Sequence, residues 1–158
     1  MSHAACSISA VFREVVSYMT DFVNFHFDID GDNFTSAGEA SVKIKKLLRQ
    51  MEFSAETIRR VSVAMYEGEI NMVIHANGGT ADVNVYCDRI EIILKDSGPG
   101  IPDIDKAMQE GFSTAPDNIR SLGFGAGMGL PNMKKYTDGM RIESEVGRGT
   151  TVYMTVNA

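Results

Sequence analysis

Three short phrases in a fixed order constrain this chain more than any other feature. Residues 67–71 read EGEIN, residues 96–101 read DSGPGI, and residues 123–130 read GFGAGMGL. Together they offer a carboxylate and an amide for metal and water, a carboxylate for the edge of a base, and bare backbone for phosphates. Any one phrase alone could arise by chance, but the ordered set indicates a nucleotide-binding site.

Length and charge narrow the class of protein. A chain of 158 residues fits one domain, and its net charge of -6 without a Lys/Arg run predicts neither nucleic-acid binding nor attachment to an anionic membrane. We therefore expect proteins or small molecules as partners. Because the chain lacks an apolar run of ~20 residues and a secretory signal, we predict a cytoplasmic protein.

Hydrophobic periodicity predicts an α/β two-layer sandwich, a mixed β-sheet covered on one face by helices. Residues 1–21 are treated as an amino-terminal extension of uncertain structure, and residues 22–158 as the domain. Residues 111–128 lack sustained periodicity and are predicted to be a mobile loop. The predicted strands are residues 22–29, 81–87, 89–95, 140–145 and 150–156, and the predicted helices are residues 36–51, 54–76, 104–110 and 130–136.

The first phrase lies on the second predicted helix. With 3.6 residues per turn, Glu67, Asn71 and His75 fall on one face. Glu67 is suited to accept a proton from a hydroxyl, and Asn71 offers a neutral oxygen to Mg²⁺. The alternative for the first two is an ordinary solvated helix face, and His75 near the helix end is more typical of a cap or a packed side chain.

The second phrase follows a predicted buried strand. Asp96 stands where that strand ends, and its fixed carboxylate could accept a hydrogen bond from the exocyclic amine of adenine. Gly98 and Gly100 would let a flat ring approach the backbone. An Asp-capped turn without a ligand is the equally good alternative for this phrase alone.

The third phrase is the one most typical of phosphate binding. Glycines at 123, 125, 127 and 129 expose backbone N–H groups just before a predicted helix N-terminus. The sequence has no Gly-Lys pair, so it is not a P-loop, and Leu130 stands where the dinucleotide fingerprint requires a third glycine. A flexible hinge is the alternative.

In combination the three phrases resemble the N-box and the two glycine boxes of the GHKL superfamily of ATP-binding proteins. The resemblance extends from Phe22 to the C-terminus and is closest, through residues 96–104, 110–114 and 122–131, to the small serine/threonine protein kinases that regulate anti-sigma factors, in particular the stressosome switch kinase. It implies the Bergerat fold, with an ATP lid at residues 102–128 between the glycine boxes. The cofactors implied are ATP and Mg²⁺.

Site roles follow from the same resemblance, position by position. Glu67 would be the general base, Asn71 the Mg²⁺ ligand and Asp96 the adenine reader. The resemblance places Gly98 and Gly100 at the base, and Gly125, Gly127 and Gly129 at the phosphates. It also assigns nucleotide contacts to Ile101, Gly123, Met128, Leu130 and Thr150.

The implied partner is an anti-sigma-factor antagonist of the STAS type, phosphorylated on serine or threonine. A sigma factor, a phosphatase and a homodimer are further expectations. The chain departs from the group at residues 117–120, which lengthen the lid, at Glu69, which adds a second acid near the site, and at residues 1–21, which have no clear counterpart.

Two rival interpretations remain. One is a histidine-kinase-like ATPase domain acting with a separate phosphoacceptor, since residues 142–151 resemble the closing strands of such domains but fewer than seventy residues precede Glu67. The other is a non-catalytic module that uses nucleotide only to sequester a partner. Retention of Glu67 argues against that module, because ATP binding alone needs no general base.

Overall fold

The computed structural model describes residues 22–158, so the predicted extension at residues 1–21 lies outside the described part. A single 3₁₀ turn, Phe34–Ser36, follows the first strand. The strands are β1 (Val23–Asp30), β2 (Gly78–Val85), β3 (Arg89–Lys95), β4 (Gly139–Glu145) and β5 (Gly149–Asn157), and the helices are α1 (Glu39–Gln50), α2 (Ala55–Ala76), α3 (Ile104–Ala107), α4 (Asp117–Ser121) and α5 (Gly129–Tyr136).

The five strands form one sheet in the order β1-β2-β3-β5-β4. Every pairing in it is antiparallel, so the two-layer sandwich is confirmed but the expected mixture of strand directions is wrong. Short turns join β2 to β3 and β4 to β5, which requires antiparallel neighbours. Helices α1 and α2 connect β1 to β2, and the end of β1 lies next to the start of β2, since Asp30 pairs with Gly78.

The core lies between the sheet and helices α1, α2 and α5. Alternate residues of β3, including Ile90, Ile92 and Leu94, are buried against the helices. Gly68 of α2 allows a close approach to this layer, since a Cβ there would lie 2.0 Å from Leu94 Cδ1. Helix α2 therefore packs close to the sheet, and this closeness fixes the distance of Glu67 and Asn71 from the sheet.

Helix α2 begins and ends as its sequence predicts. Ser54 Oγ accepts a hydrogen bond from Thr57 N at 3.1 Å at the N-terminus. Asn77 adopts the left-handed conformation at φ 57° and ends the helix. These two signals fix a helix of 22 residues that carries the whole first phrase.

Glu69 has a different place from the one expected. It is 1% exposed, and its two oxygens accept hydrogen bonds from Ala40 N at 3.0 Å and Ser41 N at 2.8 Å. It therefore caps the N-terminus of α1, where Gly38 offers no side chain. Burial raises the pKa of this carboxyl, and the backbone donors oppose the rise. Glu69 is a structural cap and not a second acid of the site.

The lid region is also more ordered in its local structure than predicted. The expected loop at residues 111–128 contains the short helix α4, with Pro116 at its N-cap position and an ion pair between Asp117 and Arg120 one turn apart. Within residues 22–158 no helix is long and apolar enough to cross a membrane.

Candidate nucleotide site

A cavity of about 630 Å³ opens between α2, the sheet and the segment from α3 to α5. Its volume falls within the range of small-molecule sites. All three sequence phrases contribute to its wall. The predicted residues that line it are Glu67, Asn71, Asp96, Gly100, Ile101, Gly123, Gly125, Gly127, Met128, Gly129, Leu130 and Thr150, and His75 lies on the same wall.

Gly98 is the predicted site residue that the structure does not place on this wall. A Cβ at position 98 would lie 2.6 Å from Ala76 Cβ, so the glycine lies against the C-terminal end of α2. Its backbone N–H donates to Asp96 Oδ1 at 2.9 Å. Gly98 thus supports the turn that holds Asp96, and it contacts the helix where a ring was expected.

The Glu67 carboxylate is held by a residue that was not singled out from the sequence. Asn132 of α5 donates a hydrogen bond from Nδ2 to Glu67 Oε1 at 2.8 Å. No local signal could have revealed this pair, because the two residues are 65 positions apart in the chain.

Asn71 lies against the start of the same helix α5. A Cβ at position 129 would lie 2.9 Å from Asn71 Oδ1, so glycine at this position leaves room for the amide. The Asn71 Nδ2 atom makes only a long contact of 3.9 Å with Met133 Sδ, and sulfur is a weak acceptor. The amide oxygen has no described protein partner and can accept a ligand.

Asp96 is held by the backbone on both sides. Its Oδ1 atom accepts hydrogen bonds from Gly98 N and from Thr150 N at 3.1 Å. Its own backbone N–H donates to Thr150 O at 2.9 Å. One carboxylate oxygen is thereby fixed, and Oδ2 is without a described protein partner at the cavity wall.

Ser144 of β4 joins this end of the site and was missed from the sequence. Its hydroxyl lies 2.8 Å from Thr150 Oγ1 and accepts a hydrogen bond from Ile101 N at 2.8 Å. It links the second phrase to the last hairpin. Only the strand register places Ser144 opposite Thr150, so its sequence neighbours gave no signal.

The glycine loop packs against the middle of the lid segment, at Gly111. Gly111 N donates to Gly127 O at 3.0 Å, and a Cβ at position 127 would lie 2.5 Å from Gly111 C. Gly127 has φ +78°, a conformation that side chains rarely adopt. Within the loop itself, the Phe124 ring contacts the Phe34 ring, with centroids 5.9 Å apart and ring planes tilted by 51°.

The charge of the cavity is unbalanced toward negative. Among the described residues, its wall carries the acids Glu67, Asp96 and Asp103 and one ammonium group, that of Lys106. Lys106 Nζ lies 5.0 Å from the ring centroid of Phe112, the residue next to Gly111. The ammonium group of this wall thus lies next to Phe112, whose neighbour Gly111 is hydrogen-bonded to Gly127 of the glycine loop, and Lys106 was not singled out from the sequence.

His75 shares the wall with these groups. Burial lowers the pKa of its imidazole, and the nearby Asp96 carboxylate opposes that shift. The lowered pKa favours the neutral form of the ring. Nothing in its contacts assigns it a chemical role.

The donor set decides what kind of metal fits. Within residues 22–158, no three His, Cys, Asp or Glu side chains are placed to hold a metal ion. The amide oxygen of Asn71 is the hard ligand of this set, next to Gly129 of the glycine loop. This set fits Mg²⁺, which binds through few protein groups and keeps phosphate oxygens and water as its other ligands.

Comparison with known proteins identifies the family of the chain. Residues 57–158 match the family described as histidine kinase-, DNA gyrase B- and HSP90-like ATPases. The chain belongs to this family of GHKL-type ATPase domains, which supports ATP as its nucleotide.

Two similar relatives narrow the group. The chain is 32% identical over 112 residues to the serine/threonine-protein kinase RsbT of Bacillus subtilis (strain 168), covering 68% of this chain and 78% of that protein. It is 31% identical over 121 residues to the anti-sigma F factor of Geobacillus stearothermophilus, covering 73% of this chain and 80% of that protein. The chain is a member of this group of serine/threonine kinases and anti-sigma factors.

A solved structure supports the fold alone. The RsbU and RsbW domains of a Mycobacterium tuberculosis protein superpose with a TM-score of 0.58 at 16% identity. The match covers 85% of this chain, and this chain spans 31% of the length of that one. The predicted Bergerat-type sandwich is confirmed.

Proposed function

We propose that this kinase transfers the γ-phosphoryl group of ATP to a serine or threonine of an anti-sigma-factor antagonist of the STAS type. The observation that carries the proposal is the placement of Glu67, held by Asn132, on the cavity wall together with the glycine loop. A site that only bound nucleotide would have no use for an oriented carboxylate at its phosphate end. The relatives named as a kinase and an anti-sigma factor support the choice of partner.

Adenine would bind at the end of the cavity formed by Asp96 and Thr150. Asp96 Oδ2 is the free acceptor there, while its other oxygen is held by two backbone donors. The phosphates would lie along Gly125, Gly127 and Gly129, whose backbone offers donors without side chains in the way. Ile101, Met128 and Leu130 add apolar surface to the same cavity wall.

Mg²⁺ is proposed to bind at Asn71. When present, the ion neutralises phosphate charge during transfer. Asn71 would hold it through Oδ1, close to Gly129. Lys106 would add a second positive charge near the glycine loop, where the wall is otherwise acidic.

Glu67 would act as the general base. The oxygen of the incoming serine or threonine forms a bond to the γ-phosphorus, the bond from that phosphorus to the ADP oxygen breaks, and the hydroxyl proton moves to the Glu67 carboxylate. Asn132 occupies Oε1, so the proton would go to the remaining oxygen.

The test is phosphotransfer from labelled ATP to purified antagonist-type domains. We expect label on a partner serine or threonine, and Glu67→Gln should lose roughly 10²–10⁴ in rate while retaining most of its ATP affinity. Asn71→Ala should also lose the Mg²⁺-linked part of ATP binding. Glu56→Gln, an exposed acid at the start of the same helix, is the matched control and should keep the wild-type rate.

The outcomes separate the rival functions. Label on a histidine of another protein would favour a histidine-kinase-like domain, and nucleotide-dependent binding without label would favour a sequestering module. Transfer by Glu67→Gln at the wild-type rate would contradict the assigned base. Binding of a sigma factor or phosphatase, homodimer formation and cytoplasmic location stay predictions, to be examined by co-purification.

A further inference from the structure

The hydrogen bond between Asn132 and Glu67 joins two elements with different tasks. Glu67 lies on α2, which also carries Asn71, and Asn132 lies one turn into α5, which begins at Gly129 of the glycine loop. The 2.8 Å bond is partly buried and spans 65 residues. A carboxylate can only accept, so the amide end of Asn132 that faces it must be the NH₂ group.

Asn132 is itself firmly placed by its helix. Its backbone N–H donates to Met128 O at 2.8 Å, which closes the first turn of α5 directly on the glycine loop. The next residue, Met133, is 1% exposed and anchors the helix in the core. The backbone that carries the Asn132 side chain is therefore well fixed, and the hydrogen bond from its amide restricts the position of the Glu67 carboxylate.

We propose that Asn132 is the positioning residue for Glu67: it fixes Oε1, leaves the other oxygen for the substrate hydroxyl, and ties the base to the helix that ends the phosphate loop. This inference rests on the proposed function, because it assigns Asn132 a part in the same transfer. It predicts that the Glu67 carboxylate keeps a fixed position relative to the glycine loop, because α5 is connected to both.

The first experiment compares Asn132→Ala and Asn132→Asp with a control, Lys134→Ala, on the exposed face of the same helix. Both Asn132 variants should lose about 10- to 100-fold in phosphotransfer rate at saturating ATP, because a misplaced base loses its alignment. The affinity of Asn132→Ala for ATP, measured by direct titration, should stay within about threefold of wild type, and Lys134→Ala should match wild type in both measurements. Asn132→Asp keeps the volume but replaces the donor by a second negative charge next to Glu67, so its loss of rate should be at least as large as that of Asn132→Ala.

A double-mutant cycle then asks whether Asn132 acts through Glu67. If it does, adding Asn132→Ala to Glu67→Gln should cause no further loss of rate. A purely structural role predicts instead that the two losses multiply and that ATP affinity and unfolding midpoint fall together. That pattern, or a wild-type rate in Asn132→Ala, would overturn the proposal.

A measurement without turnover covers the case in which the partner is wrongly chosen. In ¹⁵N-labelled protein, the Asn132 side-chain NH₂ signals should move when Glu67 is replaced by Ala and should stay in place in Glu56→Gln. The same cycle is also run on basal ATP hydrolysis, where water replaces the hydroxyl. No transfer by wild type to any antagonist domain would refute the proposed function; unmoved Asn132 signals in Glu67→Ala would refute the role of Asn132.

Discussion

The carboxylate of Asp96 illustrates how a single side chain acquires a reading function. Gly98 N and Thr150 N both donate to Oδ1, and this leaves Oδ2 as the acceptor at the cavity wall. Asp96 can therefore cap the turn through Oδ1 and accept a hydrogen bond from adenine through Oδ2. The two alternatives drawn from the sequence are compatible, and only a nucleotide titration separates their contributions.

We predict that Asp96→Asn weakens ATP binding by about 1–3 kcal/mol, because the amide can present a donor to the N6 amine and leave a polar group badly paired. GTP, which lacks that amine, should be affected much less. Isothermal titration with both nucleotides measures the difference, with Asp32→Asn, an exposed loop acid, as control. Equal losses for ATP and GTP would mean that Asp96 only supports the turn.

At the scale of the structural elements, the middle of the lid is joined to the glycine loop. Gly111 and Gly127 are joined by a backbone hydrogen bond and lie too close to admit a side chain. Gly123 has a similar left-handed φ of +88°, but nothing lies within 4 Å of the position a Cβ would take. The pair offers a comparison in which the backbone conformation is shared and only the packing differs.

Accordingly, Gly123→Ala should cost only the strain of a left-handed alanine, about 1–2 kcal/mol, and keep most of the ATP affinity. Gly127→Ala carries the same strain and must also push the lid from the loop, so its ATP affinity should fall well below that of Gly123→Ala. Direct ATP titration, with circular dichroism to verify folding, measures both. Equal affinities in the two variants would contradict the close packing at Gly127.

Lys106 of α3, in the first part of the lid, is predicted to contact the phosphates of ATP. Lys106→Met should weaken ATP by roughly 2- to 10-fold, with a smaller loss for ADP and the smallest for AMP, because the ammonium group pairs with phosphate charge. The loss should shrink at high salt. Lys46→Met on α1 removes the same charge outside the cavity wall and is the control. An equal effect on AMP and ATP would argue against a phosphate contact.

At the scale of the whole molecule, the nucleotide is expected to join parts that are distant in the chain. The site takes residues from α2, the turn after β3, the lid, α5 and β5, all arranged around one core. Ligand bound only by the native state adds RT ln(1 + [L]/Kd) to its stability. Nucleotide binding should therefore be visible as global stabilisation.

We predict that ATP with Mg²⁺ at about 100 times Kd raises the free energy of unfolding by about 2.7 kcal/mol. For a chain of this size that corresponds to roughly 5–10 °C in Tm. Removing Mg²⁺ with EDTA, or replacing Asn71 by Ala, should reduce the shift, and Glu56→Gln should not. A folded protein that shows no shift at millimolar ATP and Mg²⁺ would contradict the ATP site itself.

The sequence by itself determined what depends on neighbours in the chain. Helical periodicity put Glu67 and Asn71 on one face, Ser54 and Asn77 marked the ends of their helix, and the glycine spacing excluded the other common phosphate loops. These features need only local geometry, which a few adjacent residues fix. The residues of the three phrases that line the cavity could be picked out because each phrase is local, whereas most of their roles came from the resemblance to the GHKL superfamily and stay predictions.

The tertiary structure decided what depends on how the elements pack. It made every strand pairing antiparallel, assigned Glu69 to cap α1, and put Gly98 against Ala76 rather than on the cavity wall. It also brought Asn132 to Glu67 and Ser144 to Thr150, which no periodicity indicates. Contacts between residues far apart in the chain follow from the way the buried faces of whole elements fit together, and a local pattern does not contain that information.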